Sequence, residues 1–200
     1  MSHNAVSDLS HLHPSAQATV LLPDEERLQA VRADRWIGYP RATGALDRLE
    51  RLLRWPRKQR MPNLLIAGPT NNGKSMIIEK FVREHPRYAD NGWMHHPVLV
   101  VQTPFNPTMT RFCTAVLTAL DCEPEPRCQA TELERRALAY LEDAGVGVLV
   151  LDELHNMLAG NAAERRKFLN LLRYLGNTLR VPLPLCQPDL GQMIYSKLLV

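Results

Sequence analysis

One eight-residue stretch constrains the fold of this chain more than any other feature. Residues 68–75 fit the pattern G-x-x-x-x-G-K-[ST]. Its glycines let the backbone curl so that successive N–H groups point inward, which makes a cradle for phosphate oxygens. An apolar run over residues 63–67 precedes the stretch, and apolar residues at helical spacing follow it over residues 75–83. The sequence therefore predicts a strand, a phosphate-binding loop and a helix in that order.

Each residue of this loop has an expected role in binding a nucleotide. The Lys74 side chain is expected to place its charge on the β- and γ-phosphates and to assist catalysis, and the Ser75 hydroxyl to be a ligand of Mg²⁺. The expected contacts of ATP with the loop are Gly68, Pro69, Thr70, Asn71, Asn72, Gly73, Lys74, Ser75 and Met76. The pattern can arise by chance in a surface turn, but here it lies between a predicted strand and a predicted helix.

A second strand-like segment ends in two carboxylates. Residues 146–151 are apolar, and Asp152 and Glu153 follow them. Because ligands bind at the carboxyl edge of open α/β sheets, we expect both acids to face the loop. Asp152 is expected to hold Mg²⁺ through its water shell, and Glu153 to orient and deprotonate the attacking water. The alternative is an acidic pair that caps a helix after a core strand.

Two further segments are candidates for the same site. His155 and Asn156 follow the acidic pair, and a polar residue there can couple the state of the γ-phosphate to a partner, although an ordinary loop histidine fits equally well. Before the first strand, Trp36, Ile37 and Tyr39 are expected to contact the adenine. The alternative for these three residues is packing of the N-terminal helix.

Two basic clusters are candidates for contact with DNA phosphates. They consist of Arg54, Arg57, Lys58 and Arg60, and of Arg165, Arg166 and Lys167. Solvated helix ends explain both clusters just as well. The formal net charge of +3 is too small to identify a nucleic-acid-binding protein by itself.

Composition sets the broad class. With 200 residues, 45% hydrophobic and 22% charged, the chain fits one globular domain and some flexible end. Its four cysteines form no C-x-x-C pair and have no histidine at metal spacing, so we expect reduced thiols rather than a zinc site or disulfides. No apolar run approaches the roughly 20 residues of a membrane-spanning helix, so we expect a soluble, cytoplasmic protein.

Strands alternate with helices across residues 63–185, which predicts a three-layer α/β fold with a parallel sheet. We expect a flexible tail over residues 1–23, a helical segment over 24–62, the nucleotide-binding core over 63–186 and an atypical tail over 187–200.

Capping patterns predict several helix ends. Asn106 and Pro107 are expected to open a helix that runs over residues 108–120. Thr131 and Glu134 have the spacing of a capping box at the start of the next helix. A later helix is expected to end near Gly176.

Four motifs in order resemble the TniB family: residues 36–42, 61–65, 71–75 and 152–156. That family consists of AAA+ P-loop ATPases of transposons, similar to the TnsC transposition regulators. The resemblance implies an oligomer that binds ATP, Mg²⁺ and DNA, and that works with a DDE-type transposase to select or activate target DNA. By motif match it gives the nucleotide-binding and catalytic roles to Lys74, Ser75, Asp152 and Glu153.

The chain departs from the family pattern after Leu183. The family pattern there resembles a strand with a glycine-rich end and a polar sensor of the γ-phosphate, whereas this chain has Pro184, which lacks the N–H that an inner strand donates. We therefore expect the strand to fail at Pro184, and a truncated or frameshifted chain without the sensor, the interface arginine and the helical lid. An arginine finger contributes roughly 10³–10⁵ in rate, so we expect hydrolysis to be weak or lost.

Three functions follow as alternatives. The first is an ATPase that regulates transposition. The second is a nucleotide-gated module that binds DNA or protein with little turnover, and the third is an ATPase similar to a helicase loader.

Overall fold

The computed structural model describes residues 8–33, 35–123 and 128–188. The chain forms two compact units that divide between Ile37 and Gly38. Among the described residues, no helix combines the length and the apolar character that crossing a membrane requires.

The first unit contains two short helices. They are α1 (Pro14–Val20) and α2 (Asp24–Arg32). The first turn of α2 holds three acidic residues, which favour a helix start because they lie at the positive end of the helix dipole. The α1 helix lies in the segment predicted as a flexible tail, and Gln17 connects it to the preceding turn by donating to the carbonyls of Leu9 and Leu12, each at 3.1 Å.

The second unit alternates strands and helices. Its helices are α3 (Pro40–Leu53), α4 (Lys74–Glu84), α5 (Met109–Ala119), α6 (Ala130–Asp143) and α7 (Ala162–Leu179), with a 3₁₀ helix (Leu154–Ala159) before α7. Its strands are β1 (Leu64–Gly68), β2 (Tyr88–Asp90), β3 (Trp93–His95), β4 (Val98–Gln102), β5 (Val148–Asp152) and β6 (Pro184–Pro188). The sequence predicted β1 and β5 within one or two residues of these bounds.

Four strands form one parallel sheet in the order β1-β6-β5-β4. This arrangement confirms the predicted α/β fold. Residues 148–151 of the inner strand β5 are completely buried, as expected for a strand that is covered on both faces. Leu149 and Leu151 belong to the hydrophobic cluster that includes buried residues of α5, α6 and α7. Val148 and Val150 alternate with them and therefore face the other side of the sheet.

The expectation that the last strand fails at Pro184 is wrong. Pro184 is the first residue of β6, and this strand lies between β1 and β5. A proline at the first position of a strand removes one ladder hydrogen bond at the end rather than in the middle, so residues 185–187 still pair. The strand extends through Gln187 to Pro188, beyond the boundary predicted at residue 186.

Three predicted helix ends are also wrong. Asn106 has φ 48° and belongs to the preceding turn, and Thr108 caps α5 by accepting from the N–H of Arg111 at 3.3 Å. The α6 helix begins at Ala130 without a side-chain cap, so Thr131 lies inside it. Gly176 lies inside α7, which continues to Leu179. A Cβ on this residue would lie 3.1 Å from Leu183 Cδ1, so the glycine allows the two segments to pack closely.

The hairpin of β2 and β3 was not predicted. Its turn consists of Asn91 and Gly92, which both have positive φ. An Asn-Gly pair is a strong hairpin signal, but each flanking strand has only three residues, too few for a period to be recognised.

Candidate nucleotide-binding site

The predicted phosphate-binding loop connects β1 to α4. Gly68 ends the strand and is buried, and the exposed residues 69–72 follow it. Gly73 is the residue before α4 and has φ 72° and ψ 14°, a left-handed conformation that glycine adopts without steric cost. The first N–H groups of α4 have no partner within the helix, so they are available to an anion at the loop.

Lys74 folds back over the start of the loop. Its Nζ donates to the carbonyl oxygens of Gly68 at 2.9 Å and of Pro69 at 2.8 Å. These bonds hold the ammonium group at the concave side of the loop and place a full positive charge there. Ser75 is exposed in the first turn of α4, and Met76 after it is half-buried.

Tyr39 is the predicted adenine contact that the structure places at the loop. Its hydroxyl donates to the Asn72 carbonyl at 3.4 Å, and a Cβ on Gly73 would lie 3.6 Å from it. Trp36 and Ile37 belong to the first compact unit, so their contact with adenine stays a prediction.

The two acids follow the end of an inner strand, as predicted. Asp152 is the last residue of β5 and pairs with Gln102 of β4. Its Oδ1 accepts from the N–H of Glu153 at 2.8 Å. Glu153 has φ 53° and ψ 37°, and this left-handed residue turns the chain from the strand into the 3₁₀ helix. Both side chains remain partly exposed at the carboxyl edge of the sheet.

Asn156 and His155 have different roles in this turn. The Asn156 side chain donates to the Thr103 carbonyl at 2.8 Å, so it fixes the turn to the end of β4. His155 Nδ1 lies 3.0 Å from Glu153 Oε2, an ion-pair distance. His155 Nδ1 nevertheless forms no hydrogen bond among the described residues, so a role of His155 in coupling to the γ-phosphate stays a prediction.

Cys186 shows that the loop and the acids lie close together. This residue of β6 is completely buried. Burial, followed by the charge of Asp152, raises the pKa of the Cys186 thiol to about 12, and the charge of Lys74 acts in the opposite direction. Glu153 also raises this pKa. The strand register agrees: β6 pairs Gln187 with Ala67 before the loop and Leu185 with Leu151 before Asp152, so the loop and the acids lie at the same end of β6.

Gln187 is a site residue that the sequence reasoning missed. It pairs in register with Ala67, one residue before the loop, and it is only 2% exposed. Its Nε2 has no hydrogen-bond partner among the described residues. A buried amide without a partner is costly, so a polar group of a ligand is the expected partner. The available signal was a polar residue in an otherwise apolar strand, but Pro184 concealed the strand.

The residues present fit a magnesium nucleotide. A hydroxyl and a carboxylate, those of Ser75 and Asp152, are the hard oxygen ligands that Mg²⁺ prefers. The loop N–H groups and Lys74 are suited to phosphate oxygens, and the amide of Gln187 can donate to the same group.

The two basic clusters differ in how they are held. In the first cluster, Arg54 pairs with Glu50 at 3.2 Å, Arg57 donates to the Val146 carbonyl at 3.4 Å, and Lys58 lies 6.0 Å from the ring centre of Trp55. The second cluster, residues 165–167, lies in the first turns of α7. Most of the first cluster is thus already engaged by the protein.

Comparison with solved structures defines the class of the fold. Cdc6p from Pyrobaculum aerophilum is 16% identical with a TM-score of 0.51, over 80% of this chain and 43% of that chain. The Orc1 protein of Aeropyrum pernix, solved in complex with DNA, is 18% identical with a TM-score of 0.52, over 77% of this chain and 40% of that chain. The fold is that of AAA+ P-loop ATPases. This chain spans about two fifths of the length of these two proteins.

Comparison with family models identifies the family. The model described as bacterial TniB protein matches residues 27–187, most of the chain. The chain therefore belongs to the TniB family, which confirms the resemblance stated above. No curated protein matches the chain.

Proposed function

We propose that this protein binds ATP with Mg²⁺ at the loop over residues 68–75 and hydrolyses it, as an ATPase that regulates transposition. The observation that supports this most is the strand register: β6 pairs with β1 just before the loop and with β5 just before Asp152 and Glu153, so the loop and the two acids share one edge of the sheet. Membership in the TniB family supports the role in transposition.

Each side chain has a part in the proposed reaction. The loop N–H groups and Lys74 bind the phosphates, and Ser75 and Asp152 would hold Mg²⁺. The metal would neutralise the charge that develops on the phosphate oxygens. Glu153 accepts a proton from the attacking water, and Gln187 donates its amide to the transferred phosphoryl group. The Tyr39 side chain contacts the adenine.

Target DNA and a DDE-type transposase are the proposed partners, with a homo-oligomer on DNA as the active form. The sequence resemblance carries the transposase and the oligomer. The similarity to Orc1, which was solved in complex with DNA, agrees with a DNA-binding role.

Steady-state ATP hydrolysis, measured with and without duplex DNA, tests the proposal. We expect weak turnover in the wild type and a loss to background in Glu153→Gln, because the amide cannot accept the proton of the water. ATP binding, followed with a fluorescent analogue, should persist in this variant. Equal turnover in the wild type and in Glu153→Gln would remove the catalytic role of Glu153.

A second candidate is a nucleotide-gated module without useful turnover. The 3.0 Å distance between His155 Nδ1 and Glu153 Oε2 favours it, because a neighbouring imidazole competes with water for the carboxylate. The variant His155→Ala separates the two functions. If the contact restrains an ATPase, turnover rises several-fold with unchanged ATP affinity; if the protein is only a binding module, turnover stays at background in both proteins.

A further inference from the structure

The exposed face of α7 has an unusual residue pattern. Its members, spaced four and three residues apart in alternation, are Arg166, Asn170, Arg173 and Asn177, followed by Arg180, the left-handed residue directly after the helix end, and all are exposed. This spacing places them on one side of a helix. We call this set the α7 stripe. At 1.5 Å per residue, the stripe is about 21 Å long.

Among the described residues, the arginines of the α7 stripe have no charged partner. Within the ranges that the structure describes, no ion pair or side-chain hydrogen bond involves Arg166, Arg173 or Arg180. Glu164 is the acidic residue in the sequence of α7, and it is used at the helix start, where it accepts from the N–H of Asn161 at 3.0 Å. The stripe is therefore a surface of one sign of charge.

Several cations on other helices of this chain are paired with acids. Ion pairs within one helix or at its end join Arg27 to Asp24, Arg54 to Glu50, Lys80 to Glu84, Arg83 to Glu79 and Arg135 to Glu132. Such pairs three or four residues apart are the usual arrangement on a solvated helix face. None of the three stripe arginines has such a pair among the described residues, so each can bind an external anion.

We propose that the α7 stripe binds the phosphate backbone of duplex DNA. Arginine and asparagine are the side chains that donate to phosphates and to base edges, and a helix of about 10–12 Å diameter fits the major groove, which is about 12 Å wide. A single exposed aromatic side chain, Tyr174, lies on this helix, whereas a site for single-stranded DNA stacks successive bases on several. The straight row of cations therefore fits a duplex better than an unpaired strand.

This inference deepens the proposed function, because it assigns the DNA contact to one surface. It also chooses between the two basic clusters. Arg166 and Lys167 of the second cluster lie on or beside the stripe, whereas Arg54 and Arg57 of the first are engaged by Glu50 and Val146.

Fluorescence anisotropy with a short fluorescein-labelled DNA duplex, over a series of salt concentrations, tests the assignment. The slope of log K against log salt is negative for DNA binding. We expect the double variant Arg166→Gln/Arg173→Gln to make this slope less steep by about 1.8, since each lost phosphate contact removes about 0.9. If the two proteins bind equally at 1 M salt, this difference in slope makes the affinity of the variant roughly 60-fold weaker than that of the wild type at 0.1 M salt. The variant Arg166→Lys/Arg173→Lys keeps both charges and should keep the slope.

A matched control removes the same charge elsewhere. The variant Arg83→Gln/Arg135→Gln loses two exposed arginines that are paired within α4 and α6, and it should bind DNA as the wild type does. Thermal melting of each variant shows whether it is folded. The assignment is overturned if the wild type does not bind the duplex, if Arg166→Gln/Arg173→Gln keeps the wild-type slope, or if the control loses as much affinity.

Binding of a fluorescent ATP analogue by the same proteins separates this inference from the proposed function. Wild-type affinity for the analogue in Arg166→Gln/Arg173→Gln, together with weaker DNA binding, supports the stripe as a DNA surface. If the protein binds DNA through the stripe but binds no nucleotide, the proposed function is contradicted, whereas the assignment of DNA binding to the α7 stripe is supported.

Discussion

Gln187 gives a prediction in which stability and activity change in opposite directions. The perturbation is Gln187→Met, which replaces the amide by an apolar group of similar length. Because Nε2 of this 2%-exposed residue has no hydrogen-bond partner among the described residues, the wild type bears the cost of an unsatisfied buried donor. That cost is about 1–3 kcal/mol.

Removing the amide should therefore stabilise the protein by about 1–3 kcal/mol, with a rise in Tm of roughly 2–4 °C for each kcal/mol. Most buried substitutions destabilise, so the sign alone is informative. Turnover of ATP should fall in the same variant, because Gln187 no longer donates to the phosphoryl group. Functional residues often lower the stability of the folded protein, and Gln187 is expected to be one of them.

Urea unfolding followed by circular dichroism, without nucleotide, measures the effect. Gln102→Met is the matched control, since Gln102 is exposed at the end of β4, and its effect should stay within about 0.5 kcal/mol. A destabilised Gln187→Met would refute the reasoning, because it would show that the amide already has a partner in the folded protein.

Two further predictions concern the loop and the buried thiols. In urea unfolding, Gly73→Ala should destabilise the protein by about 1–2 kcal/mol, because Gly73 has φ +72°. Gly44→Ala inside α3, where no atom lies near the added Cβ, should stabilise the protein by about 0.5–1 kcal/mol. Equal effects of the two substitutions would contradict this prediction. Burial raises the pKa of Cys113 to about 11 and that of Cys186 to about 12, so neither thiol should react with iodoacetamide at pH 8 until urea unfolds the protein. Rapid labelling of either in the native state, detected by mass spectrometry, would contradict their burial.

The loop and the acidic strand end could be predicted because their signals are local. The pattern over residues 68–75 fixes a strand, a turn and a helix within one short window, and an apolar run before Asp152 fixes the strand that carries the acids. The order of the strands in the sheet could not be read in this way, since β6 inserts between β1 and β5 although it is last in the sequence.

The errors came from local rules that long-range packing overrides. The sequence predicts a strand break at Pro184. This residue is instead the first of β6, where a missing N–H costs little free energy. The sequence predicts a helix end near Gly176. The helix continues, and Leu183 packs where a Cβ of Gly176 would lie. The contact of Asn156 with Thr103 joins residues 53 positions apart, and no pattern in a single sequence indicates it.

Equilibrium titration with a fluorescent ATP analogue in the presence of Mg²⁺ tests the central claim most directly. The wild type should show saturable binding, and Lys74→Ala should lose it, because the ammonium held at the loop by Gly68 and Pro69 supplies the charge on the phosphates. Lys80→Ala, which removes a partly exposed cation from the same helix, serves as the control and should bind as the wild type does. Equal affinity of Lys74→Ala and the wild type, or no binding by the wild type, would contradict the account.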